Sequence, residues 1–130
     1  MSVTADWYHN MENVLYVKFE APWTWDEYVP TAAQIRDMIE ASGRDGIDVL
    51  IDVHDSGAIP RDAASQMRQF FSSASPKTRT YVVVGAALFA KILFETLAKV
   101  YTTMGGTRSM YFTSSLEEAE AILQKQPDLQ

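Results

Sequence analysis

The sequence predicts an α/β sandwich with the element order β-β-α-β-α-β-α-β-α. Three observations carry this. The opening residues alternate with the period of a strand. Two short β-branched runs, Ile47–Val53 (IDVLIDV) and Thr80–Val84 (TYVVV), are nearly all apolar, as strands covered on both faces are. Stretches of helical spacing separate these runs. Strands alternating with helices after an initial hairpin give a central mixed, mostly parallel sheet flanked by helices, with right-handed crossovers. The first strand is the antiparallel one, and the order of the strands is left open.

In the opening strand Val3, Ala5, Trp7 and His9 point one way and Thr4, Asp6, Tyr8 and Asn10 the other. Asn10 to Asn13 is rich in turn formers, and Val14–Glu20 follows with Leu15, Val17 and Phe19 on one face. Two strands so closely joined form a hairpin. Pro22 ends the second strand. Thr24 and Glu27 have the spacing of a capping box, which opens a helix to about Ser42 with Val29, Ala32, Ala33, Ile35, Met38 and Ile39 as its apolar side. Pro30 removes one helical hydrogen bond and predicts a kink or a late start. Gly43 and Gly46 stop the helix.

After Ile47–Val53, Pro60 suits a helix start. Ala63, Ala64, Met67, Phe70, Phe71 and Ala74 continue at helical spacing to Ser75-Pro76. Gly85 turns the chain after Thr80–Val84, and the longest helix follows from about Ala86 to Thr103. Arg108–Phe112 reads as the last strand. Ser115 and Glu118 form a second capping box for a final helix through about Gln124.

The chain has 130 residues, the length of one domain at roughly 100–200 residues per domain. Residues 1–124 form that domain and 125–130 a polar tail. A hydrophobic share of 47% with 12% aromatic residues excludes a disordered chain. The absence of cysteine excludes disulfides, a thiol nucleophile and cysteine-bound metal. A net charge of −6 argues against nucleic-acid binding, because such a surface repels phosphate backbones. No apolar run reaches the roughly 18 residues of a membrane span, and the first residues lack the pattern of a secretory signal. These features predict a soluble, cytoplasmic protein with no integral membrane segment.

Three stretches, Ile47–Val53, Tyr81–Gly85 (YVVVG) with the following helix carrying Ala90-Lys91, and Met110–Leu123 (MYFTSSLEEAEAIL), resemble the STAS-like fold of anti-sigma factor antagonists. The resemblance is strongest to the SpoIIAA-like family of small stand-alone bacterial proteins, and it covers roughly Val14 to Leu123. It implies a regulatory binding module rather than a catalyst. In the antagonist branch a serine near the helix after the third strand, in a motif reading roughly Asp-Ser-Ser-Gly, is phosphorylated and controls partner release. This chain has Asp55-Ser56-Gly57 in the corresponding loop, one serine short.

The segment Asp52 to Gly57 lies at the carboxyl end of a parallel strand, where ligands collect in open α/β sheets. Asp52, His54 and Asp55 are metal-ligand residue types, but neighbours on a strand point to opposite faces, and the expectation is no metal and no cofactor. His54 and Ser56 lack the elbow motif of a hydrolase. Arg61 is the cation placed to meet an anion at the next helix start. Trp23 and Trp25, with Tyr28, either line a binding surface or staple a helix onto the core. On the long helix Lys91, Glu95 and Lys99 form a charged stripe. Phe94 and Tyr101 widen the apolar side beyond the roughly 100° of a surface helix, which fits either a neighbouring helix or self-association as a homodimer.

The reading that follows is a non-enzymatic, STAS-like domain. It recognises a protein partner or small ligand through Asp55, Ser56, Gly57 and Arg61, with Trp23 and Trp25 nearby and Ser56 as the phosphosite. The alternative from another class is a carrier of a lipid or other hydrophobic small molecule, motivated by the wide apolar arc and the aromatic cluster.

Overall fold

The computed structural model describes residues 3–9, 11–44, 46–57, 65, 66, 69, 77–85 and 109–125. Among them, in chain order, are β1 (Val3–Trp7), β2 (Val14–Glu20), α1 (Trp25–Ala41), β3 (Ile47–Asp55), β4 (Thr78–Val84), β5 (Ser109–Thr113) and α2 (Leu116–Gln124). Ser65, Gln66 and Gln69 have helical backbone. Arg61, Phe94, Tyr101, the expected long helix and residues 126–130 lie outside the described residues.

The strands form one sheet in the order β1-β2-β3-β4-β5. β1 runs antiparallel to β2, as the hairpin predicts, and the remaining pairs are parallel. The architecture is therefore α/β with a mixed, mostly parallel sheet. At the hairpin turn Asn13 takes a left-handed φ of 63°, a conformation that asparagine tolerates better than most residues. Its carbonyl then accepts from the Asp48 N–H at 2.9 Å, which ties the turn to β3.

Period-two alternation divides the sheet into two apolar faces. One carries Val3, Leu15, Val17, Phe19, Val49, Ile51, Tyr81 and Val83 and is covered by Tyr28, Ile35 and Ile39 of α1. The other carries Tyr8, Val14, Leu50, Val82 and Val84 and is covered by Ala119 and Leu123 of α2. β3 sits in the middle and is buried on both faces from Ile47 to Asp52.

Both capping boxes form. Thr24 Oγ1 accepts from the Glu27 N–H at 3.2 Å, and Ser115 Oγ from the Glu118 N–H at 3.2 Å. α1 starts directly at Trp25, so the late start expected from Pro30 does not occur. Pro30 and Asp26, the residue whose carbonyl would lose its partner, are both exposed. The buried face of α1 also differs from the expected one. Tyr28 and Thr31 are buried, whereas Val29 is 57% exposed and Ala33 is exposed. The Tyr28 ring stacks on Phe19 at 5.5 Å, and the Thr31 hydroxyl donates to the Val3 carbonyl at 3.3 Å; these two contacts fix the rotation of the helix.

The same rotation protects the sheet edge. Gln34 Nε2 donates to the Ala5 carbonyl at 3.2 Å, and the Trp7 N–H turns to its neighbour Asp6 at 2.8 Å. With the Val3 carbonyl held by Thr31, three outward backbone groups of β1 are occupied, which blunts the edge as a template for edge-to-edge pairing.

Two strand boundaries move because the ladders continue past the apolar runs. β4 begins at Thr78 and β3 ends at Asp55, each two residues beyond expectation. β1 ends at Trp7, short of His9, and β5 is shifted to Ser109–Thr113. At the start of β4 the register passes from Ile47↔Thr78 to Asp48↔Thr80, which leaves Arg79 as the extra residue of a bulge. Its guanidinium donates to both carboxylate oxygens of Asp48, at 2.9 and 2.7 Å. Asp48 is 2% exposed, so this fork is what allows a charge in the central strand. Arg79→Leu should therefore cost about 3 kcal/mol, the scale of an uncompensated buried charge. Urea unfolding should show Asp48→Leu/Arg79→Leu recovering much of that loss.

Candidate functional site

The carboxyl ends of β2, β3 and β4 bring together Tyr16, Asp52, His54, Asp55 and Gly85. The grouping starts from a second bulge. β2 and β3 are in register at Lys18↔Asp52 and again at Glu20↔Asp55. Between these pairs β2 has Phe19 alone, while β3 has Val53 and His54. The extra residue takes His54 out of the ladder. Its N–H donates to Asp52 Oδ1 at 3.2 Å, and its ring Nδ1 closes on the same oxygen. The Tyr16 hydroxyl donates to Asp52 Oδ2 at 2.5 Å. Nε2 of His54 lies 3.0 Å from Asp55 Oδ2.

The cluster grades from buried to exposed. The Asp52 side chain is 1% exposed, while those of His54 and Asp55 are 48% and 54% exposed. Asp52 and His54 share a face because they are two residues apart on one strand, so two of the residues singled out from the sequence do converge. Behind them Tyr16 stacks on Tyr8 at 5.5 Å, and the Tyr8 hydroxyl donates to Glu120 of α2 at 3.0 Å.

Burial pushes the Asp52 carboxyl up, but the hydrogen bonds from Tyr16 and His54 outweigh it and hold the group below its usual range. The hydrogen bond to Asp52 raises His54, with Asp55 adding to the effect and Lys18 opposing it. Burial, then Asp52, push the Tyr16 phenol well above its usual value. Both shifts favour the charged forms of Asp52 and His54, and a second carboxylate, Asp55, stands on the far ring nitrogen.

Gly85 makes room for this arrangement. It ends β4 at a φ of 79°, and a Cβ there would stand 2.3 Å from His54 Cβ and 2.8 Å from His54 Cα. Its N–H donates to the Thr113 carbonyl at 2.9 Å, so the backbone is pinned against β5 as well.

Asp55, Ser56 and Gly57 are adjacent in space as in sequence, with Asp55 closing β3 rather than opening a loop. Ser56 is 7% exposed. Its hydroxyl faces the Gly57 carbonyl at 3.4 Å, and its own carbonyl accepts from Trp23 Nε1 at 3.0 Å. Gly57 has a φ of 65°, and a Cβ there would meet Ala21 Cβ at 3.0 Å. Trp23 is therefore a clamp on the Ser56 segment. Its ring also meets Phe19 and Trp25, each at 4.8 Å, and Trp25 meets Tyr28 at 5.9 Å. Trp23 precedes the cap and Tyr28 follows it by four residues, both packed on Phe19, which is the spacing of a hydrophobic staple.

Sequence reasoning missed Tyr16 and Gly85. The signal available for Tyr16 is that of a polar-tipped aromatic on the face of β2 opposite Leu15 and Val17. Gly85 read as a turn, whereas its role is a close approach to another strand. Among the described residues no group of three or more His, Asp or Glu side chains is placed to hold a metal ion. None of the described helices is long and apolar enough to cross a membrane.

The pairing has a pH signature. His54 is raised in the folded state, so its contribution to stability is complete below its ordinary value of 6.5 and is lost as pH climbs through the raised value. Asp52 is lowered, so its contribution is present above 3.8 and is lost as pH falls through the lowered value. An NMR titration should place His54 above 6.5 and bring it back toward that value in Asp52→Asn. The Tm should fall between about pH 6 and pH 9 by more in the native sequence than in His54→Gln. Gly85→Ala, which sets a methyl group against His54, should cost roughly 2 kcal/mol in urea unfolding.

No protein-family model and no curated protein matches the sequence. A solved structure does share the fold. The NMR structure of the protein TM1081 superposes with a TM-score of 0.55 over 89% of this chain and 86% of its own, at 11% identity. At that identity the likeness is one of fold.

Proposed function

We propose that the chain is a non-enzymatic, STAS-like regulatory domain that binds a protein partner at the carboxyl end of β3, around Asp55, Ser56 and Gly57. The observation that carries this reading is the state of the side chains there. Both ring nitrogens of His54 are engaged by carboxylates, and the Ser56 hydroxyl faces Gly57 rather than His54. A nucleophile needs a base within hydrogen-bond reach, and these two residues do not form such a pair. What the site offers instead is a rigid, charged surface, held from below by Asp52, Tyr16 and Trp23.

The sheet supports the STAS-like reading. A hairpin whose second strand is followed by three strands parallel to it, with helices on both faces, fits the mixed, mostly parallel sandwich that the resemblance implies. The outermost charges near the site are Asp55 and Glu20, paired in register, with side chains 54% and 55% exposed. In a chain of net charge −6 this edge fits a partner that presents basic residues. Phosphorylation at Ser56 belongs to the same reading. It would require the clamp of Trp23 on the Ser56 carbonyl to loosen, and it would add negative charge to a surface that already carries Asp55.

The test is to capture partners on the immobilised chain, purify the retained protein and measure its affinity by calorimetry. Asp55→Lys should weaken binding at least about tenfold, and rising salt should weaken the native complex. Ser56→Asp should change the affinity, and an unchanged value removes phosphorylation from the reading. Undiminished binding by Asp55→Lys overturns the site. A lipid mass on the gently purified protein in a native mass spectrum would replace the reading with that of a carrier.

A further inference from the structure

The opposite end of the sheet holds an open cleft of about 420 Å³, within the ~300–1,000 Å³ range of small-molecule sites. It lies where the β1–β2 turn meets the carboxyl end of α1. Trp7, Tyr8 and Met11 supply an apolar wall, and Arg44, His9 and Glu12 supply polar groups. Trp7 is 37% exposed, so part of a large ring faces the cleft uncovered.

The guanidinium of Arg44 lies over the Trp7 indole, 5.7 Å from the ring centroid. Among the described residues it makes no hydrogen bond or ion pair of its own. A guanidinium seated over an aromatic ring still has N–H donors to offer a bidentate anion. The backbone holds it there. Gly43 turns past the helix end at a φ of 70°, and the Arg44 N–H donates to Ser42 Oγ at 3.1 Å. In a protein with 17 acidic and 11 basic residues, an arginine fork that no carboxylate of the described residues engages, beside a partly exposed indole, is the feature that calls for a ligand.

We propose that this cleft binds a small aromatic carboxylate. The carboxylate sits on the Arg44 fork, and the ring lies against Trp7, Tyr8 and Met11. His9, whose ring packs 5.3 Å from Tyr8, stands at the same wall as a further hydrogen-bonding group. Glu12 opposes a second negative charge, so the site takes a monoanion in preference to a phosphate dianion. The cleft is independent of the Asp55 surface, and the two proposals stand or fall separately.

The test uses the intact ¹⁵N-labelled protein. Its three tryptophans give three indole N–H signals, and Trp7→Phe assigns the first. Benzoate should move the Trp7 signal saturably, with a dissociation constant of about 1 mM or tighter. Acetate, which lacks the ring, benzyl alcohol, which lacks the charge, and phenyl phosphate, which carries a second charge, should each bind more weakly. Arg44→Gln should weaken benzoate at least tenfold while the Trp23 and Trp25 signals stay in place, which shows that the fold is intact. A still Trp7 signal at about ten times that concentration overturns the proposal. So does a benzoate response in Arg44→Gln equal to that of the native protein.

Discussion

Two carboxylates buried in the central strand set the terms for this structure. Asp48 and Asp52 are 2% and 1% exposed, on a strand covered on both faces. A charge in such a place is tolerable only when it is paired and fully hydrogen-bonded. Asp48 draws its side-chain partner from another strand, and Asp52 draws one from another strand besides His54 of its own. Arg79 reaches Asp48 from a bulge in β4, and Tyr16 reaches Asp52 from β2. The pairs therefore tie β2, β3 and β4 side by side in one register. A slip by one residue would turn both carboxylates into the α1 face without partners.

Much of this fold follows from local sequence rules. Both capping boxes, the hairpin, the antiparallel first strand and the central strand all rest on spacing within a few residues, and short-range physics decides them. What sequence reasoning could not reach depends on contacts between distant segments. His54 and Asp55 look like a polar turn, yet the Ala21 N–H bonds to the Asp55 carbonyl at 2.9 Å and carries the ladder through them. Thr31 looks like a surface residue of α1, yet the Val3 carbonyl makes it part of the buried face. Gly85 carries no local mark that separates a turn from a close approach to His54. The candidate site was legible as a place, the carboxyl end of β3, but not as an arrangement, because the bulge that gathers its side chains is a relation between β2 and β3.

The two ends of the sheet differ in kind. At the carboxyl end polar groups are saturated by one another: Asp52 is fully engaged, both nitrogens of His54 are engaged, and the Ser56 carbonyl is held by Trp23. Such a surface presents charge and shape with little freedom to reorganise, which suits recognition of another protein. At the amino end no side chain of the described residues bonds the Arg44 fork, and the Trp7 ring is partly bare. That is the condition of a site whose hydrogen bonds are completed by a ligand.

The two buried aspartates also differ from each other, and the difference separates structure from function. Asp48 is satisfied by a single side chain that fits it in a planar fork, and Asn13 adds a backbone tie through the Asp48 N–H. Asp52 is satisfied in part by His54, which is half exposed and ionisable in the physiological range. A hydrocarbon side chain at position 52 would avoid the desolvation cost and pack well between β2 and β4. It would also release the His54 ring and N–H together. Asp48 serves the register of the sheet; Asp52 serves the orientation and charge of a surface residue, and for that reason the carboxyl end of β3 is where a partner is to be sought.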